Sequence, residues 1–502
     1  MSRCAIACVL TLYTILSLLL GTGGAGAQGS GRNLDPAAMA DAIDRYVASE
    51  MRAARIPGMA LGIIYDGRVA YVRGYGVADG TGRPVTPQTP FALGSVSKSF
   101  TALAIMQLVE EGKIDLDAPA RTYLPALRLA DPAVSERVTV RHLLNQVSGI
   151  STYAGEDAFA ADPRATTNDL IAGMATLAPR GRVGETYQYS NLNYIVLGAI
   201  VEAASGQTYG EYVRERIYAP LGMTHSHVTY ADAQADGMAD GHQSFFGFPL
   251  VKQEPFRAAS VATGHLVSSA EDMSRYLLMW LNGGTLDGAT LISPEGVRAL
   301  QTPASRVTSY VSYAMGWYTN PDASVVWHGG STYAFHSSIK LLRGPDLGVV
   351  ALYNLSDDMV HSVLGEGWMI PDGVMSILYG EAPPRTGFVG TGRAYWLLDA
   401  AALLAVIGLA VAVVRLPRWR EVWRWSRRRW TMVAGLVALH ALLPAAILLG
   451  VQARASWRVV LAGVPDFGML LLFVAAALVV IGVAKAAMAA GATGTQMNAD
   501  ER

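Results

Sequence analysis

Leu93-Gly94-Ser95-Val96-Ser97-Lys98 opens a segment whose apolar residues, Phe100, Leu103, Ile105, Met106, Leu108 and Val109, recur at helical spacing until Gly112. Helical positions three apart face the same way, so the pattern predicts the Lys98 amine beside the Ser95 hydroxyl. A serine hydroxyl is a weak nucleophile until a neighbouring base takes its proton. A lysine serves if burial pulls its pKa down. Free backbone N–H groups at the helix start would face a developing oxyanion. Taken alone, the spacing fits equally a capping serine and a surface lysine. A second Ser-x-x-Lys, Ser337 to Lys340, lies in an alternating β run, where i and i+3 point to opposite faces; it cannot form the same pair.

Two further elements carry chemistry. Tyr189-Ser190-Asn191 precedes an apolar helix beginning near Asn193-Tyr194. A tyrosine is a poor base unless a cation such as Lys98 stabilises its phenolate, and Asn191 can hold the lysine and a substrate carbonyl. The alternative is a helix cap with a packed tyrosine. Tyr318-Thr319-Asn320 repeats the spacing but runs into Pro321-Asp322 and is expected to be a turn. The third element is Trp327-His328-Gly329-Gly330-Ser331, at the end of a β run. Its glycines let a ligand lie along the strand edge, the Ser331 N–H could join that of Ser95 in an oxyanion hole, and His328 could meet polar substrate groups. A plain glycine turn fits the same residues.

These elements, in this order, resemble the serine β-lactamase and penicillin-binding-protein superfamily, and most of all its class C β-lactamase, D-aminopeptidase and esterase branch. Arg141-His142-Leu143-Leu144 leading to Ser148-Gly149, Pro220-Leu221-Gly222-Met223, and the segment from Gly264 to Asp272 fit the same branch. The resemblance spans about Ala38 to Asn354. It implies an α/β (α+β) fold in which a predominantly antiparallel sheet is flanked by helices and faces an all-helical domain. It also implies roles: Ser95 as acylated nucleophile, Lys98 as its activating partner and Tyr189 as general base and acid. Asn191, His328 and Gly330 would bind or orient substrate, and the Ser95 and Ser331 N–H groups would form the oxyanion hole. In β-lactamases and transpeptidases the third motif usually begins with a lysine that holds a carboxylate. His328, neutral much of the time near pH 7, weakens such anchoring. The expected function is therefore a serine hydrolase acting on an ester or a D-amino-acid-containing amide or peptide. The alternatives are a β-lactamase or D-Ala-D-Ala carboxypeptidase, and a catalytically silent sensor. No cofactor is needed, and no His/Asp/Glu cluster has metal-ligand spacing.

The rest of the chain is consistent with this centre. Runs Gly58 to Tyr65 and Arg68 to Val77, joined by Asp66-Gly67, predict a hairpin. Ser324 to Trp327, Ala334 to Leu342 and Leu347 to Tyr353 predict further strands, and helices are predicted over Ser97 to Glu111, Asn191 to Ala204 and Ala270 to Asn282. A sheet built from both ends of a domain around a helical middle fits an α/β layer with a helical insertion. Lys plus Arg is 39 against 40 for Asp plus Glu, which offers no attraction for nucleic acid. Cys4 and Cys8 are the only cysteines; both fall in an N-terminal segment, 1–27, patterned as a signal peptide. The expected hydrolase domain is 33–384, followed by a linker at 385–393. Beyond it, apolar runs Ala394–Val414, Trp430–Val451 and Phe467–Ala484 are each near the ~20 residues that cross a bilayer. These lie within a 394–485 membrane segment, with a tail at 486–502. Between the first two runs, 415–429 carries seven arginines and one acid, Glu421, marking the cytoplasmic side. The expected arrangement is multi-pass in a bacterial cell membrane, anchored by lipid contact, with the hydrolase domain on the periplasmic or extracellular side. Asp399 and Lys485 are expected to snorkel near span ends.

Overall fold

The structure, a computed structural model, describes residues 36, 38–162, 164–344, 346–357, 370–384, 393–425, 429–453 and 456–500. The expected signal peptide, most of the linker and part of the arginine-rich loop lie outside the described residues.

The hairpin at the start of the globular portion forms as its turn residues dictate. Strands β1 (Gly58–Tyr65) and β2 (Arg68–Gly76) pair antiparallel, with Tyr65 opposite Arg68. Asp66 and Gly67 both have positive φ, 54° and 67°, which matches the right-handed twist of the flanking strands. The other strands come from the far end of the domain: β3 (Ser305–Arg306), β4 (Ser312–Ala314), β5 (Trp317–Thr319), β6 (Val325–Ser331), β7 (His336–Leu342) and β8 (Leu347–Tyr353). Among the described residues these eight form one antiparallel sheet, ordered β2-β1-β8-β7-β6-β5-β4-β3. The chain ends thus meet where β1 pairs with β8, Leu61 opposite Ala351. β3, β4 and β5 were not foreseen from sequence, because two or three residues cannot display a period. β6 runs four residues past its expected end and carries the whole third motif.

Both faces of the central strands are covered. Met59, Leu61 and Ile63 of β1 pack with Val349, Ala351 and Tyr353 of β8 against α1 (Ala40–Ala54) and a C-terminal helix, Ile370–Leu378. Ala60, Ile64, Val350 and Leu352 face the opposite way, as a period of two requires. On that side lie α2 (Ser97–Glu110), α3 (Asn191–Ser205) and α4 (Ala270–Leu281), each ending within a residue of its expected boundary. Every residue of α2 from Ser97 to Leu108 is buried, so it runs through the core and not along the surface. α4 lies close on the sheet because Gly62 has no side chain. A Cβ there would stand 2.2 Å from Ser274 Oγ and 2.8 Å from Val350 Cγ1.

The C-terminal region forms three long apolar helices, with spans at Tyr395–Trp419, Trp430–Gln452 and Pro465–Ala490 and mean hydropathies of 2.6, 2.3 and 2.8. Their apolar side chains are mostly exposed, as expected of helices with lipid for solvent. Span one lies in α5 (Arg393–Trp425) and span three in α6 (Pro465–Asp500). Span two bulges into a π turn at Ala438–Leu442, just before Pro444, whose ring would clash with the carbonyl four residues back. Lys485 turns inward instead of snorkelling. Its amine donates to His440 Nε2 at 3.2 Å and sits 5.1 Å from the centre of the Trp419 ring, which links the three spans.

The close α4–sheet contact makes a direct prediction. Gly62→Val should cost about 1–3 kcal/mol through overpacking, read as a fall of several degrees in the thermal transition of the detergent-solubilised protein. An unchanged transition would show that α4 can lift away freely.

Candidate active site

Ser95 lies on a single 3-10 turn, Gly94–Val96, that feeds directly into α2. The turn is shaped by the absence of side chains on both sides. Gly94 has φ of 52°, in the left-handed region, and a Cβ there would stand 2.6 Å from Ser331 N. A Cβ on Gly330 would stand 2.1 Å from Leu93 O and 2.8 Å from Ser95 N. The end of β6 therefore presses backbone to backbone on the Ser95 turn, which brings the Ser95 and Ser331 amides to one place. Ser337 of β7 closes the joint by donating to Leu93 O at 2.5 Å. Its partner in the second Ser-x-x-Lys, Lys340, faces the other side of the sheet and ion-pairs with Asp372.

One turn along α2, Lys98 is fully buried, and its Nζ donates to Ser95 Oγ at 3.0 Å and to Thr263 O at 2.8 Å. Thr263 lies in a π-helical turn, Val261–His265. Its hydroxyl also donates to Asn191 Oδ1 at 2.9 Å, at the start of α3. Asn191 is thus tied to the lysine through Thr263, a residue the sequence did not single out. The Tyr189 ring lies 4.8 Å from Lys98 Nζ and the Tyr194 ring 5.7 Å, within range of a cation–π attraction.

Around Tyr189 stands an aromatic cluster that is largely invisible in the sequence. Tyr318 stacks on it at 6.4 Å and Tyr313 meets it edge-on at 6.0 Å. Tyr318 was expected in a turn. It lies instead in β5, with the turn starting only at Asn320, and its hydroxyl meets that of Tyr187 at 3.1 Å. Burial raises the phenols of Tyr187, Tyr194, Tyr313 and Tyr318 above their ordinary value, so these four stay protonated near neutral pH.

His328 is set back in this cluster, 1% exposed, on the face of β6 that alternation turns inward. Its Nδ1 donates to Gly329 O at 2.6 Å, and Nε2 faces Tyr313 Oη at 3.4 Å. Burial first, and then the Lys98 charge, push its pKa down to about 3. Its imidazole is neutral and packs against Tyr189, ring centroids 6.3 Å apart.

The cavity beside Ser95 has a volume of about 370 Å³ and is lined by Asn191, Thr263, Ser331, Glu254 and Tyr333, among others. Glu254 Oε2 is buried without a hydrogen-bond partner. Burial raises this carboxyl above the usual range. Ser95 and Ser331 line this cavity, and behind Ser95 stand the buried Lys98 amine and, 4.8 Å from it, the Tyr189 ring, a set suited to acyl transfer.

Comparison with known proteins agrees with that chemistry. A family model described as Beta-lactamase matches residues 43–366. Protein flp of Staphylococcus aureus strain N315 is 28% identical over 331 residues, 64% of this chain and 64% of that protein. Unguisins hydrolase ungD' of Aspergillus campestris is 28% identical over 319 residues, 60% of this chain and 58% of that protein. The chain thus spans less than two thirds of the length of these curated relatives. Among solved structures, the octameric penicillin-binding protein homologue from Pyrococcus abyssi superposes with a TM-score of 0.60 at 30% identity, covering 68% of this chain and 78% of that one. A class C beta-lactamase gives 0.56 at 22% identity, covering 65% and 93%, a likeness of fold. From the matched residues, the sheet that joins the two ends of the domain and the Ser95–Lys98 site, we conclude that this chain belongs to the beta-lactamase family.

Proposed function

We propose that the protein is a membrane-anchored, extracytoplasmic serine hydrolase that cleaves an ester or a D-amino-acid-containing amide through an acyl-Ser95 intermediate. The observation that carries this is the 3.0 Å hydrogen bond between Lys98 Nζ and Ser95 Oγ, made by a lysine with 0% exposure. Ser95 Oγ attacks the substrate carbonyl carbon while its proton passes to the Tyr189 phenolate, which the Lys98 ammonium stabilises. The Ser95 and Ser331 N–H groups hold the carbonyl oxygen as it becomes negative. The proton then goes to the departing alcohol or amine, leaving the acyl group on Ser95. Tyr189 next draws a proton from water, whose oxygen attacks the acyl carbon. That proton returns to Ser95 Oγ as the carboxylic acid leaves. Asn191, acting through Thr263, keeps Lys98 in place.

His328 bears on substrate choice. A neutral imidazole provides no cation for a substrate carboxylate at this strand position, which supports esters and amides as substrates; the cation on the cavity wall is Arg257, outside the third motif. The second reading, a β-lactamase or cell-wall carboxypeptidase, draws on the likeness of fold to a class C beta-lactamase. A relative named as a hydrolase favours turnover over silent recognition. On topology, the starts of spans one and three and the segment between spans two and three all touch the globular portion. Tyr395 donates to Asp357, Asp466 accepts from Phe246 N, and Ala462 O accepts from Gln243. With the arginine-rich 415–429 segment inside, this end of the bundle and the hydrolase domain lie outside.

Three outcomes are expected. A fluorophosphonate probe should label the wild type and leave Ser95→Ala unlabelled, while Lys98→Met and Tyr189→Phe should lower kcat/KM by about 10²–10⁴-fold. Equal labelling of Ser95→Ala would end the proposal. Nitrocefin should be turned over no faster by the wild type than by Ser95→Ala, while p-nitrophenyl esters or D-amino-acid amides are hydrolysed; efficient nitrocefin turnover would favour the second reading. The third outcome concerns stability. Between His328's ordinary value of 6.5 and its folded value of about 3, the unfolded chain binds a proton that the folded chain refuses. Stability is then full above pH 6.5 and falls as acid is added through this window. The fall with pH should be shallower in His328→Gln, measured by thermal unfolding from pH 7 to pH 4, with His265, also pushed down to about 3, still contributing.

A further inference from the structure

The cavity beside Ser95 is not built by the globular portion alone. Val459, Val460, Gly463 and Val464 also line it. They belong to a short helix, α7 (Trp457–Gly463), and to the residue that follows it, between spans two and three. Span two ends at Gln452 and span three begins at Pro465, so α7 has no length of chain on which to stand away from the bilayer surface. It is also fastened on both sides. Ser456 caps its first turn, and Trp457 Nε1 donates to Leu448 O at 3.2 Å. Gln243 Nε2 donates to the carbonyls of Ala462 and Gly463 at 2.6 and 3.2 Å.

The globular element that makes these bonds is a two-stranded hairpin, His242–Phe245 and Phe248–Val251. Its turn residue Phe246 packs with Tyr395, Leu398, Val464, Phe467 and Leu470 at the ends of spans one and three. Phe248, Leu250 and Val251 on its second strand are 57%, 52% and 63% exposed. Three large apolar side chains exposed beside the ends of two spans fit the headgroup zone of a membrane. The cavity itself is two-sided. Glu254, Arg257 and Thr332 line it on the globular side, and three valines line it on the α7 side.

We infer that α7 is a substrate-binding wall, and that the substrate is an amphiphile resident in the membrane surface. Its ester or amide carbonyl would be presented to Ser95 while its apolar chain lies along Val459, Val460 and Val464. The inference rests on the acyl-Ser95 reading above. Three observations carry it: the shared lining, the attachment of α7 to spans on both sides, and the exposed apolar hairpin that bonds to α7. A water-soluble substrate would need none of them.

The test uses the full chain in lipid nanodiscs with p-nitrophenyl esters of increasing acyl length, acetyl to dodecanoyl. In the wild type kcat/KM should rise with chain length, each buried methylene contributing up to a few fold. Val460→Asp, and Val460→Ser as the milder change, should lower the dodecanoyl-to-acetyl ratio of kcat/KM, by about tenfold or more for the aspartate. Full fluorophosphonate labelling of Ser95 would show that the variants are folded. A ratio that does not depend on chain length, or is unmoved by both variants while Ser95 is labelled, overturns the inference and leaves the hydrolase reading standing. A wild type that is labelled but cleaves no ester overturns this inference alone, whereas failure of the wild type to be labelled overturns the hydrolase reading itself, and this inference with it.

Discussion

A buried ammonium group is the constraint on which the centre of this protein depends. Lys98 has 0% exposure, and removing such an ion from water costs on the order of several kcal/mol. The surrounding structure offsets that cost with oriented dipoles and π faces: the Thr263 carbonyl, the Ser95 hydroxyl and the rings of Tyr189 and Tyr194. They come from three parts of the chain: the start of α2, the segment from Tyr189 to Tyr194, and the turn at Val261–His265. The π-helical turn that aims the Thr263 carbonyl is a departure from regular helix, and its placement at the lysine accounts for it, since such turns gather at functional positions. The same charge acts outward. It helps to keep His328, which packs against Tyr189, unprotonated.

The second constraint is steric. Gly94 and Gly330 let a strand end and a helix start touch backbone to backbone. That contact joins the two ends of the domain, because α2 follows the first hairpin and β6 belongs to the returning strands. The β1–β8 pairing serves the same closure. Sheet and site are therefore coupled: a shift of β6 against α2 moves the Ser331 amide relative to Ser95, whatever becomes of the hydrophobic core.

The three long apolar helices extend this logic past the globular portion. They are tied to it by hydrogen bonds at Asp357, Phe246 and Gln243 and by a small apolar cluster around Tyr395. A tail that served only to tether would need no such bonds, and would not place valines in the wall of the cavity beside Ser95.

Much of this was legible in the sequence because it depends on short-range geometry. Three residues of helix bring Lys98 to Ser95, Asp66-Gly67 permits one kind of hairpin turn, and twenty apolar residues make a span. The same geometry separated Ser337 from Lys340, which the sheet places on opposite faces. What remained hidden involves partners distant in the chain. Thr263 sits in no periodic pattern, Tyr313 and Tyr318 lie on strands too short to show one, and the neutrality of His328 comes from burial that only packing creates. The valines of α7 fall between two apolar runs, and only the fold brings them to the Ser95 cavity. Local sequence determined which groups could react and where the chain would turn or cross a membrane. Tertiary structure decided which of them meet, because dielectric, cavity shape and membrane proximity are properties of the assembled whole.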